Sequence, residues 1–202
     1  MSAPTPPGPA IPPLERAALY RLFARLLTAA PDAALLDALG APAAAAVLER
    51  AAPGFSAWLG ALGSDGQAAL GTEFARLFLL PRGAAPYASA WIEGDRERLA
   101  GQLAAFTHRL MAALDMQQTG SQGNLSQDHL GLLFAVTAEA LSRPEAAALA
   151  AHAEGQLLGP WVRAFADALY QRAESPLYRA LGRLIPAVVP LETSAETPME
   201  TL

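Results

Sequence analysis

Asp128 and His129 put a carboxylate and an imidazole side by side, ahead of the apolar run Leu130-Gly131-Leu132-Leu133-Phe134. Such a pair can receive a cation, exchange a proton, or hold a loop. Upstream lies a polar, glycine-containing stretch from Gln117 to Gly123. Beyond the pair, Leu130, Leu133, Phe134, Thr137 and Leu141 recur at three- and four-residue steps, the spacing of a buried helix face. Asn124 or Ser126 is the expected N-cap, with Gln127 as capping-box partner of Asn124. Asp128 then falls in the first helical turn, where the positive end of the helix dipole alone would explain a carboxylate.

Other reaction chemistry is scarce. The chain has no cysteine, so thiol nucleophiles, disulfides and Cys-based metal sites are excluded. Its three histidines, His108, His129 and His152, have no partner at metal-ligand spacing. No metal or other cofactor is expected. No nucleophile elbow, zinc-protease motif or phosphate loop occurs. Glu93, Asp95 and Glu97 read as a solvated helix start with Arg96 and Arg98.

The elements that must position the Asp-His pair are helical. Of 202 residues, 52% are hydrophobic and 16% charged, Ala and Leu dominate, and no strand alternation is long enough to read. The net charge is −5, and the 14 basic residues, all arginine, form no cluster, which argues against nucleic-acid binding. Residues 1–12 read as a disordered tail without signal-peptide character, and 191–202 as an acidic disordered tail with Glu192, Glu196 and Glu200. No run reaches the length of a membrane span, so the default location is the cytoplasm.

Between the tails, residues 13–190 read as one all-α globular domain of nine or ten helices. The expected helices run from Pro13 to near Pro31, over 32–39, 43–51 and 55–62, and from Asp65 to about Leu80. Further helices run from Asp95 to Met116, from the Asp-His pair to Ser142, from Pro144 to Leu158, from Trp161 past Tyr170 to a stop at Ser175-Pro176, and from Leu177 to Val189. An irregular loop, Pro81 to Trp91, carries two aromatic residues.

Four segments in order resemble the TorD/DmsD/NarJ family of molybdoenzyme chaperones, over about residues 14–185. They are Glu73-Phe74-Ala75-Arg76-Leu77-Phe78, Pro86-Tyr87-Ala88-Ser89-Ala90-Trp91, the Asp128-His129 signature, and Trp161 to Phe165 with Ser175 to Gly182. The last is most similar to the DmsD branch. Leu125 and Ser126 stand where the family often has Glu-Pro.

The resemblance implies a cytoplasmic chaperone rather than an enzyme. Its partner would be the twin-arginine signal peptide, or a similar N-terminal segment, of a molybdopterin oxidoreductase precursor. The precursor would be held for cofactor insertion before export. The peptide-binding residues would be Asp128, His129, Tyr87, Ser89, Trp91, Phe78 and Glu73. Tyr87 and Trp91 could equally be core residues, and Glu73 with Arg76 an ion pair or loop anchor. The alternatives are a small all-α enzyme using Asp128 and His129 as an acid–base pair, and a helix-turn-helix regulator. Monomer and domain-swapped dimer are both compatible with the sequence.

Overall fold

The computed structural model describes residues 11–92, 96–118, 125–156, 158 and 161–189, without the side chains of 96, 97, 99, 100 and 156. Residues 1–10 of the expected N-terminal tail, the whole expected C-terminal tail, Asn124, and the acidic residues at 93 and 95 lie outside that set. Ile11, assigned above to the N-terminal tail, packs against the core, and its carbonyl accepts a hydrogen bond from Arg16 Nη1 at 3.1 Å.

Ten α-helices follow one another among the described residues: α1 Pro13–Thr28, α2 Ala33–Leu39, α3 Pro42–Ala51, α4 Phe55–Gly60 and α5 Ser64–Phe74. Then come α6 Arg96–Ala113, α7 Leu130–Leu141, α8 Ala147–Gln156, α9 Trp161–Arg172 and α10 Pro176–Val188. The protein is a single all-α globule. Local chemistry sets many of the boundaries. Proline opens α1, α3 and α10, where a missing N–H removes no helical bond. Asp32 and Ser175 accept the N–H groups of Leu35 and Tyr178 as side-chain caps. No described helix is long and apolar enough to cross a membrane.

α7 is the axis of the molecule. Nine of its twelve residues are buried, including Leu132, Val136 and Ala140, which lie off the stripe read from the spacing. A helix apolar on every side must be covered on every side, and α1 lies along much of α7. There Tyr20 and Phe23 close on Phe134 with ring centroids 5.2 and 5.3 Å apart. Gly131 permits that approach, since a Cβ there would stand 2.6 Å from Thr28 Cγ2. α9 and α10 form a second close pair, with Gly182 set against the backbone of Ala166 and Tyr170.

The helix expected from Asp65 to Leu80 divides. After α5 the chain makes one wide π turn, Ala75–Leu79, and leaves Leu79 and Leu80 exposed. It then reverses at Gly83, whose N–H donates to Leu80 O at 3.0 Å. A side chain at Gly83 would collide with the Leu77 carbonyl, so the turn requires glycine.

Candidate functional site

The stretch from Pro86 to Trp91 lies against the entry of α7 and is bonded to it by backbone. Leu130 N–H donates to Pro86 O at 2.7 Å and Ala88 N–H to Asp128 O at 3.0 Å, with an antiparallel bridge between Tyr87 and His129. Two segments about forty residues apart thus become one wall. The Tyr87 ring stands edge-on to the His129 ring at 5.0 Å, half-buried. Trp91 anchors the loop twice. Its Nε1 donates to Ala85 O at 2.7 Å, and its ring meets Phe165 at 6.0 Å.

Asp128 is only 5% exposed. Its Oδ1 accepts the Ser126 hydroxyl at 2.5 Å, and its Oδ2 accepts the Ser89 backbone N–H at 3.1 Å. Burial alone would raise the carboxyl's pKa. Hydrogen bonds from the Ser126 hydroxyl, the Ser89 side chain and the Ser89 N–H outweigh it and hold the group below the usual carboxylate value. Asp128 is therefore ionised, yet it makes no salt bridge among the described residues.

The cap of α7 is not the one expected. Helix geometry begins at Leu130, so Asp128 precedes the helix instead of lying in its first turn, and Asn124 lies outside the described residues. His129 is the N-cap. Its Nδ1 accepts the Gly131 N–H at 3.1 Å, which places the proton of the neutral ring on Nε2. Burial pushes the imidazole down to about 4, against a smaller upward pull from Asp128. Gln127, expected in a capping box, instead donates from Nε2 to Gln118 Oε1 at 3.3 Å.

This arrangement is a poor acid–base pair. The Nδ1 lone pair is committed to a backbone amide, both Asp128 oxygens are occupied, and no hydrogen bond joins Asp128 to His129. The His, Asp and Glu side chains of the described residues form no group able to hold a metal ion.

Glu73 and Phe78 stand apart from this cluster. Glu73, 7% exposed, accepts the N–H groups of Glu174 and Ser175 at 2.6 and 3.0 Å and pins the α9–α10 connection. Arg76 lies 3.7 Å from it and bonds Arg172 O at 3.1 Å, so the loop-anchor reading of this pair describes its geometry. Phe78 is buried between Phe74 and Tyr178, with centroids 5.3 and 5.4 Å away. Both were expected to line a peptide site; here Phe78 packs in the core and Glu73 caps backbone N–H groups of the α9–α10 connection.

Sequence reasoning missed Ser126 as a partner of Asp128, having read it only as a possible helix cap. It also missed the buried Glu154, which accepts Tyr20 Oη at 2.9 Å and lies 2.9 Å from Arg16 Nε, tying α8 to α1.

The fold and the backbone bonds between the 86–91 loop and the entry of α7 define an all-helical protein whose candidate site is a loop-to-helix junction. The family model described as nitrate reductase delta subunit matches residues 40–169, which include the π turn, the 86–91 loop, the Asp-His pair and most of α9. The chain belongs to that family of NarJ/TorD-like molybdoenzyme maturation chaperones. No curated protein matches the chain.

Proposed function

We propose that this protein binds the N-terminal segment of a molybdopterin oxidoreductase precursor in the cytoplasm, in the manner of a twin-arginine signal-peptide chaperone. It would hold the precursor through cofactor insertion. Asp128 receives a peptide arginine, Tyr87 and Ser89 form the adjoining wall, and His129 and Trp91 fix that wall in place. The observation that carries the reading is a buried carboxylate kept ionised with no cation paired to it among the described residues. An uncompensated buried charge is unfavourable unless something of opposite sign answers it, and a guanidinium does so with charge-assisted hydrogen bonds. The exposed Leu79 and Leu80, at the start of the same loop, offer apolar surface to the run that follows the arginines.

The test is calorimetry with the signal peptide of the natural client. A saturable one-to-one isotherm is expected, weakened when the peptide arginines become lysine. Asp128→Asn should weaken binding by about 2–5 kcal/mol, because the arginine is left facing a neutral group. Unchanged affinity in a folded Asp128→Asn protein would return Asp128 to a purely structural role.

A further inference from the structure

We infer that the Ser126 hydroxyl is a gate on Asp128, occupying the carboxylate oxygen that no backbone N–H holds and thereby setting the affinity of the site. The inference rests on the peptide-binding reading above and concerns its regulation.

The two oxygens of Asp128 are held in different ways. Oδ2 is bonded to the backbone N–H of Ser89, which cannot leave unless the whole 86–91 loop shifts away from α7. Oδ1 is bonded to a side-chain hydroxyl on an exposed residue. The Ser126 backbone is itself fixed, since its carbonyl accepts the His129 N–H at 2.9 Å. Rotation about the Ser126 side-chain bond thus releases Oδ1 from its hydroxyl partner with no backbone movement. A displaced hydroxyl at an exposed position regains its hydrogen bonds from water. A guanidinium brings a full charge and several donors, so it can win this exchange. The observed affinity is then the difference between the two bonds, and the serine weakens binding by the strength of the bond it gives up.

The same geometry bears on selectivity. A guanidinium that uses both oxygens must share Oδ2 with the Ser89 N–H, so arginine loses part of its advantage over lysine.

The probe is a synthetic peptide with two adjacent arginines followed by a run of leucine and alanine, titrated into the full chain. Ser126→Ala should bind it about three- to tenfold more tightly, and Ser126→Thr, which restores a hydroxyl, should return to the wild-type value. Losing the hydroxyl donor also raises the Asp128 carboxyl, so acid should abolish binding at a higher pH in Ser126→Ala than in wild type. A serine that bonds Asp128 without gating it would give the pH displacement alone, without the tighter binding at neutral pH. Denaturant midpoints of both variants confirm that each is folded. Equal or weaker binding by Ser126→Ala, with wild-type binding intact, overturns the gate and leaves the peptide-binding reading standing. Absence of binding by wild type overturns both.

Discussion

At Asp128 and His129, adjacent residues of opposite protonation behaviour are frozen into one state each. Burial favours the neutral ring of His129, while hydrogen bonds keep Asp128 charged despite burial. The consequence for stability has a definite sign. His129 titrates near 4 when folded and near 6.5 when unfolded, so between those values the unfolded chain binds the extra proton. Stability is therefore lost as pH falls from about 6.5 to 4, by about 3 kcal/mol at most from this residue. Asp128 acts lower, its contribution being full above the unfolded carboxyl value and lost as pH falls through the folded one. His129→Asn keeps a capping acceptor for the Gly131 N–H and should flatten the upper window. Urea midpoints at pH 7.5 and 5 for both proteins test this, and an unchanged pH slope in His129→Asn would assign the effect to another group.

Among the elements, close junctions carry the specificity. Glu73 satisfies two N–H groups at the start of α10, so Glu73→Ala should destabilise by about 1–3 kcal/mol, with peptide affinity unaltered. A drop in affinity without a drop in stability would instead make Glu73 a ligand contact. Gly182→Ala drives a Cβ to 2.9 Å from Ala166 O and Tyr170 N, backbone atoms that cannot step aside. The two helices must separate, for a loss of about 1–3 kcal/mol. A denaturant midpoint equal to wild type would show that α9 and α10 already have slack. The π turn after α5 sets the course of the chain toward Gly83 and, through it, of the loop that reaches α7.

For the whole molecule, the described core runs from Ala17 to Val189 and draws on every helix. The tails expected from the sequence at the two ends make a testable claim: a chain cut to residues 11–189 should keep the denaturant midpoint of the full chain. A loss of more than about 1 kcal/mol would mean that residues outside that range contribute to the core. Circular dichroism should show a helical spectrum, and a sheet signal near the average ~20–25% would contradict the fold.

The helices were legible in the sequence because what makes them is local. Leu103, Phe106, Leu110 and Leu114 repeat at helical spacing and are buried as that spacing implies. Pro13 begins α1 for reasons contained in its own backbone, whereas Pro42 and Pro176, which the sequence reading places just ahead of helices, are themselves the first residues of α3 and α10. The π turn was not legible, since Ala75 to Leu79 continues the helical pattern and only the path to Gly83 widens it. The Asp-His pair was visible as residues but not as a geometry. Whether Asp128 answers a helix dipole or a loop depends on Ser89, 39 positions earlier, and beside the His129 cap the Leu130 N–H is taken by Pro86 O, 44 positions earlier. Glu154 meets Tyr20 across 134 positions, a partnership no spacing rule encodes. Periodicity reports which face of an element is apolar. Which buried polar group meets which donor is decided when the elements close on one another, because only then does each group lose water and need a partner.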